Sequence, residues 1–394
     1  MQPVLVHAAS GGVFAVANLV LARQLSESQY ALFTLLLAFM NLGAPLAAAG
    51  LDGVAVRGHL RFDRALFRRV AAASVLVALV LGAAAATYET GLEGAALVVV
   101  TSATGGLSVV AAAEFQRRQR FGFSLLLLQG PNLALLLAAG LAVALGTTSA
   151  RLPLLVSGAG FVVFGWIGWA LLLRERAAPG GPSRIPWGEA MSLAGSNGSA
   201  VLLGQIDRLL VPHLLPLEAL ATYGAISAVA GSLFRVLQRG VGYALLPRLR
   251  TAPTPRARRR LIATEAKIVG AVLLVGSLAI WAAIPIVEHW VLADKYRFSA
   301  GLVFAVIFVG LVRIVASVAR AAATALCDGR ELAALNWWGW GAIVVAVAAA
   351  AAGARWGLVG VTYGVGAGWL LRAVTTIWIL PRHLRDEQGG DLPR

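Results

Sequence analysis

Residues 300–325 read AGLVFAVIFVGLVRIVASVARAAATA, an apolar run in which Arg313 and Arg320 are the only charges. A helix needs about 20 apolar residues to cross the hydrocarbon core of a bilayer, so this run predicts a spanning helix. It is the tenth of twelve such runs along the chain. We place the predicted spans at 4–23, 30–50, 69–87, 94–113, 122–145, 152–173, 190–212, 220–247, 267–287, 300–325, 333–353 and 357–380.

The composition supports the same class. Of the 394 residues, 59% are apolar and 13% are charged, and the mean hydropathy is +0.80. A soluble domain holds about 45–50% apolar residues even when glycine is counted among them. We therefore expect an all-α, polytopic membrane protein with about twelve transmembrane helices.

The basic residues between the spans predict the orientation. The loops of one side and the C-terminal tail hold 22 Lys and Arg residues, whereas the loops of the other side hold five. Cytoplasmic loops of membrane proteins carry an excess of Lys and Arg. We expect the protein to lie in a bacterial inner membrane, with both termini on its cytoplasmic side. The net charge of +15 arises from these loop clusters and does not predict nucleic-acid binding.

A linker divides the chain into two halves. The sequence AAPGGPS at 177–183 predicts an N-terminal six-helix lobe at 1–175, a cytoplasmic linker at 176–189, a C-terminal six-helix lobe at 190–381 and a cytoplasmic tail at 382–394. Residues 21–31 and 211–224 resemble each other, and each stretch joins the first span of its half to the second. A repeat of this kind places a transport site between the lobes.

Six arginines lie inside predicted spans, each at an expense of about 2.5–3.5 kcal/mol at a helix centre. They are Arg208, Arg235, Arg239, Arg313, Arg320 and Arg372. Because the planar guanidinium donates two parallel hydrogen bonds and keeps its charge, this set indicates a cavity for an anionic, phosphate-bearing head group. The alternative for Arg239, Arg320 and Arg372, which lie toward span ends, is that their side chains reach lipid head groups.

Two carboxylates and the tryptophans carry further expectations. Asp207 lies inside a span, where it either pairs with an arginine of another span or binds a coupling cation or proton. Asp52 lies before Arg57 at the end of the second span, as a gate or as a helix-end contact. Most tryptophans, Trp169 among them, lie near span ends, which is typical of interfacial anchors.

Enzyme motifs are absent from the sequence. Neither Lys267 nor Lys295 belongs to a phosphate-binding loop, because neither follows glycine and precedes Ser or Thr. The five histidines have no metal-binding spacing. We predict that the protein is not an enzyme and has no cofactor or metal.

Several diffuse motifs resemble one transporter family. They are residues 18–23 running to Tyr30, residues 49–57, residues 205–208 running to Tyr223, and later residues 246–247, 328–330 and 356–360. In these stretches, over essentially its whole length, the chain resembles the polysaccharide flippases of the multidrug/oligosaccharidyl-lipid/polysaccharide (MOP) exporter superfamily, the Wzx-like lipid-linked oligosaccharide translocases. The resemblance implies two lobes in a MATE-like V and a cationic cavity for a lipid pyrophosphate.

The expected function is therefore the transfer of a lipid-linked oligosaccharide across the membrane. We expect Arg23, Arg208, Arg235, Arg239 and Arg313 to bind the substrate, and Asp207, Asp52 and Arg57 to serve in coupling or gating. The resemblance implies membrane lipids, glycosyltransferases and a polysaccharide polymerase as partners. Two rival functions are a cation-coupled multidrug exporter of the same superfamily, for which acidic cavity residues are expected, and a non-transporting scaffold of a glycan-assembly complex. The sugar and the energy source stay open.

Overall fold

The chain folds as a set of helices. The computed structural model describes residues 2–57, 60–88, 90–175, 185–231, 234, 249 and 254–380, and only the backbone of residues 2–8, 255 and 329. The helices in these ranges are α1 Gln2–Gln24, α2 Glu27–Ala47, α3 Leu51–Val56, α4 Arg64–Ala86, α5 Gly91–Arg117, α6 Phe121–Ala144, α7 Arg151–Arg174, α8 Trp187–Leu203, α9 Ile206–Leu214, α10 Leu217–Gly231, α11 Pro255–Ile286, α12 Ala300–Leu326, α13 Gly329–Gly353 and α14 Gly357–Ile379. A π-helical turn, Val287–Val291, follows α11, and a 3-10 turn, Ala354–Trp356, precedes α14.

Much of this helix content is suited to a bilayer. Within the described ranges, eight helical stretches are long and apolar enough to cross a membrane, and one of them, Arg330–Ile379, contains both α13 and α14. Every predicted span falls on a helix, although most of residues 232–247 of the eighth span lie outside the described residues. The prediction of an all-α, multi-pass membrane protein is confirmed.

Two predicted spans contain a break in the helix that the sequence did not predict. The second ends at Ala47 rather than at residue 50, because the chain turns at Ala49 and Gly50, whose φ angles are 50° and 74°. A Cβ on Gly50 would lie 1.9 Å from the carbonyl oxygen of Ala190, so only glycine fits where α8 passes. The seventh predicted span consists of two helices, α8 and α9, which are separated by Gly204 and Gln205.

The helices form two compact units. Unit 1 comprises residues 1–229 and the segment Val287–Phe298, and its helices α2 and α5 pack against each other and against α4 and α7. Trp169 of α7 is 1% exposed in this core, and its indole Nε1 donates to the carbonyl of Leu107 at 2.9 Å. It is therefore a core residue, and its prediction as an interfacial anchor is wrong. The predicted lobe boundaries at 175 and 190 stay predictions.

Unit 2 comprises residues 230–286 and 299–394, and within it α14 packs between α12 and α13. Glycines let α13 and α14 approach closely: a Cβ on Gly364 would lie 2.3 Å from the amide nitrogen of Ala350, and one on Gly368 would lie 2.5 Å from the carbonyl oxygen of Ala342. On the other side of α14, the ring of Tyr363 lies 5.6 Å from that of Phe308 on α12. This packing fixes the arginine-bearing faces of α12 and α14.

Candidate substrate-binding site

A break between two helices positions the first pair of predicted site residues. At the start of α9, a carboxylate oxygen of Asp207 accepts a hydrogen bond from the amide of Arg208 at 2.8 Å, and the other accepts from the hydroxyl of Tyr223 on α10. The first amides of a helix have no partner inside the helix, so a carboxylate there satisfies one of them. We predicted that Asp207 pairs with an arginine of another span. The described residues include no such pair.

The side chain of Arg208 has polar neighbours within unit 1. Its Nη1 donates to the side-chain oxygen of Gln205 at 2.8 Å, and its charge interacts with Tyr30 of α2. Its Nε is buried and has no hydrogen-bond partner in the described part of the chain. A guanidinium with an unsatisfied buried N–H can donate it to a further anionic or polar acceptor.

The contact between α10 and α2 is polar as well. Gly224 of α10 faces α2 so closely that an added Cβ would lie 2.7 Å from Oγ1 of Thr34. The hydroxyls of Tyr30 and Thr34 are both buried, and the two side chains interact with each other. Buried polar groups are normally hydrogen-bonded, and these two hydroxyls are close enough to serve each other.

A second group of predicted arginines meets in unit 2. The guanidinium carbon of Arg313 lies 5.0 Å from the ring centroid of Trp369 on α14, and that of Arg372 lies 5.9 Å from the same ring. Arg372 is 6% exposed, and its charge interacts with that of Arg320 on α12. Two arginines, one from each of two neighbouring helices, therefore lie near one aromatic ring, and Arg320 lies close enough to interact with the charge of Arg372.

Sequence reasoning did not single out Trp369. It lies in the middle of the last predicted span, away from the ends where anchoring tryptophans occur. It is also 3% exposed, so it lies in the interior of unit 2 rather than at the lipid boundary. Its position three residues before Arg372 is the signal that was available, because such residues lie on one helix face.

Other predicted site residues lie apart from both groups. Arg23 is exposed at the end of α1, and its Nη1 lies 3.4 Å from the carbonyl oxygen of Trp290. Arg57 pairs with Glu189 at 2.6 Å. Asp52 is half-buried in the first turn of α3, outside the spans, and burial raises the pKa of its carboxyl. Each contact stays within unit 1.

Arg235 and Arg239 lie outside the described residues. Their predicted role in substrate binding stays a prediction. In the ranges that are described, no three side chains of His, Cys, Asp or Glu are grouped as a metal site requires.

A buried carboxylate also escaped sequence reasoning. Glu114 of α5 is 1% exposed and accepts hydrogen bonds from Arg117 and Arg118 at 2.6–2.8 Å. Arg118 in turn donates to Glu175 after α7 at 2.5 Å, and Arg120 pairs with the same carboxylate. The spacing of Glu114 to residues three and four positions later was a readable signal for this cluster.

Comparison with known proteins identifies the fold. Neither a protein-family model nor a curated protein matches the sequence. An inward-facing multidrug resistance MATE family transporter of the MOP superfamily is 15% identical, with 97% of this chain and 98% of that chain covered and a TM-score of 0.61. The lipid II flippase MurJ, in an inward closed conformation, is 10% identical, with coverages of 96% and 87% and a TM-score of 0.65.

A third similar structure is a MOP superfamily transporter from Pyrococcus furiosus, described as having a binding pocket of reverse polarity. It is 15% identical, with coverages of 97% and 94% and a TM-score of 0.51. Identities this low establish the fold alone. The resemblance inferred from the sequence is thus confirmed at the level of the superfamily fold: this chain has the helical fold that MATE family transporters of the MOP superfamily share with MurJ.

Proposed function

We propose that the protein is a flippase that moves a polyprenyl (undecaprenyl) pyrophosphate-linked oligosaccharide across the bacterial inner membrane for O-antigen, capsule or exopolysaccharide assembly. A fold shared with MATE family transporters and a lipid II flippase supports transport across a membrane. The observation that carries the substrate class is the arginine cluster around Trp369.

The charge of this cluster suits a pyrophosphate. Helices α12 and α14 contain three arginines and no Asp or Glu. In a low-dielectric interior, such an excess of positive charge is strongly stabilised by an anion. A cationic drug would meet repulsion from the same three side chains.

The geometry of the arginine cluster suits a pyrophosphate as well. The guanidinium of Arg313 lies over the ring of Trp369, whose π-face attracts cations. Its N–H groups point outward in the guanidinium plane, the geometry in which two of them donate to one phosphate. In this proposal Arg313 holds the pyrophosphate, while the polyprenyl tail stays in lipid.

The test is a complementation experiment with three variants. The gene is deleted in its host, and extracted lipids are examined by mass spectrometry for polyprenyl-pyrophosphate glycan. We expect this intermediate to accumulate and the wild type to clear it. We expect Arg313→Ala to fail, Arg313→Lys to clear it partly because lysine keeps the charge but not the fork, and Arg355→Ala to behave as wild type.

Arg355 is the matched control because it also lies over a tryptophan, Trp356, at 3.8 Å, but both side chains are exposed in the turn before α14. The folding of each variant is checked by size-exclusion chromatography in detergent, in which a folded protein elutes as one monodisperse peak. Full clearance by a folded Arg313→Ala protein would remove the cluster from the substrate path and contradict the proposal.

The fold similarity to a multidrug resistance MATE family transporter favours one other candidate, a cation-coupled drug exporter. It predicts an unchanged lipid pool in the deletion strain and increased retention of a cationic dye. In that case Asp207, which is hydrogen-bonded to Tyr223, is the carboxylate to substitute.

A further inference from the structure

Unit 2 contains an apolar groove that the proposed transport site does not use. It has a volume of about 360 Å³ and is formed by α11, α12 and α14. Every lining residue is apolar, among them Ile262 and Leu273 of α11, Ile314 and Val318 of α12, and Ile377 of α14. Ligand pockets of about this size and lining hold small apolar molecules.

The groove and the arginine cluster lie on opposite faces of α12. Successive residues of a helix are rotated by about 100°, so Val318 points roughly 200° away from Arg320. A single head group at Arg313 or Arg320 therefore does not share the groove's side of the helix. An occupant with a charged end needs another cationic site.

Such a site lies at one end of the groove. Arg258 and Arg259 precede Ile262 by about one turn of α11, on the same face as the residues that line the groove. Arg259 is exposed, whereas Arg258 is half-buried. The Nε of Arg258 is buried and has no hydrogen-bond partner in the described ranges. The groove thus combines a hydrocarbon wall with a basic end.

The length of the groove fits one leaflet. From Ile262 to Leu273 the axis of α11 advances by roughly 16 Å, at about 1.5 Å per residue. That is about half of the ~30 Å hydrocarbon core of a bilayer. A single acyl chain of a phospholipid covers one such half, while a polyprenyl chain is much longer.

From this we infer that the groove binds an anionic glycerophospholipid, with one acyl chain along α11 and its phosphate at Arg258 and Arg259. Basic pockets between spanning helices are a known setting for anionic head groups. The lipid is a bound partner of unit 2, separate from any transported substrate. Its binding does not depend on the proposed transport function.

Gly270 provides a way to fill the groove. It lines the cavity, and a Cβ at this position would have no described atom within 4 Å. Gly270→Leu therefore occupies the hydrocarbon site without a clash. Gly140 of α6 is the matched control, because it is likewise unobstructed and exposed but lies in unit 1.

The head-group site is tested by charge removal. The double variant Arg258→Gln/Arg259→Gln is compared with Arg64→Gln/Arg68→Gln, which removes two exposed arginines at the start of α4. Full-length proteins in detergent are mixed with equal amounts of phosphatidylglycerol and phosphatidylcholine of identical chains. Native mass spectrometry then counts the lipids that each protein retains.

We expect the wild type and both controls to retain one phosphatidylglycerol in preference to phosphatidylcholine. We expect Gly270→Leu and the Arg258/Arg259 double variant to bind it roughly tenfold or more weakly. Equal retention of the two lipids by the wild type, or undiminished retention by Gly270→Leu, would overturn the inference. Displacement of phosphatidylglycerol from the groove by undecaprenyl phosphate at equal concentration would also overturn it, because the occupant would then be a polyprenyl chain.

Discussion

At the scale of single residues, the site in unit 1 depends on a local backbone interruption. The break at Gly204 and Gln205 exposes the first amides of α9, and the carboxylate of Asp207 accepts a hydrogen bond from one of them, that of Arg208. Its second oxygen then faces Tyr223, so the carboxylate is held from two sides. Such broken helices inside a membrane occur where they line a polar site.

The hydroxyl of Tyr223 is expected to contribute to stability. Replacing it in Tyr223→Phe leaves the buried ring in place but removes a hydrogen bond to a charged group, which is worth roughly 1–3 kcal/mol. We expect a lower midpoint of thermal unfolding in detergent. Tyr363→Phe is the control, since Tyr363 is 42% exposed and its ring contact with Phe308 is retained. Equal midpoints for the two variants would argue against the Asp207 contact.

At the scale of elements, one ion cluster joins the ends of α5 and α7. Glu114 is buried, while the side chains of Arg117 and Arg118 keep 35% and 21% of their exposure. Glu175 links Arg118 and Arg120 in the same cluster. The negative charge is thus the buried partner and the positive charges are the hydrated ones.

That asymmetry predicts unequal effects of substitution. The double variant Arg117→Ala/Arg118→Ala leaves Glu114 buried without its partners, and losses of this kind cost about 3–5 kcal/mol. Glu114→Gln leaves two arginines that water and Glu175 still solvate, so we expect it to lower the free energy of unfolding by less. Chemical unfolding in detergent measures both. A larger loss for Glu114→Gln would show that the arginines are the strained partners.

At the scale of the whole molecule, the sequence predicts the helices better than the contacts between them. Runs of apolar residues identify the long helices, because a lipid bilayer requires both length and hydropathy. The break between α8 and α9 escapes this reasoning, since an apolar window averages over Gly204 and Gln205. The contact between Arg313 and Trp369 also escapes it, because nothing local relates residues on two different helices.

Of the candidate site, the sequence therefore predicts the residue types more securely than their partners. An arginine inside a span is rare because its transfer into the bilayer core is unfavourable in free energy, so each one stands out in the sequence. Its contacts depend on packing: Arg23 and Arg57 lie at exposed helix ends, whereas Arg372 is buried. The roles of all of them in substrate binding stay predictions.

Unit 1 is completed by a distant part of the chain. Residues 287–298 belong to it, although α11 and α12 on either side belong to unit 2. The ammonium of Lys295 donates to the carbonyls of Ala22, at 3.0 Å, and Leu25 at the end of α1. Tyr296 lies with its ring 6.2 Å from that of Tyr30.

Because of this interleaving, we expect that the chain cannot be divided near its middle into two parts that fold independently. A chain cut after residue 229 gives a first piece that lacks the segment capping α1, and a second piece that carries it. We expect piece 1–229 to resist protease in membranes only when piece 230–394 is expressed in the same cell. Protease resistance of piece 1–229 alone would refute this dependence. If the dependence holds, a chimaera that takes residues 1–229 from a relative must also take residues 287–298 from that relative.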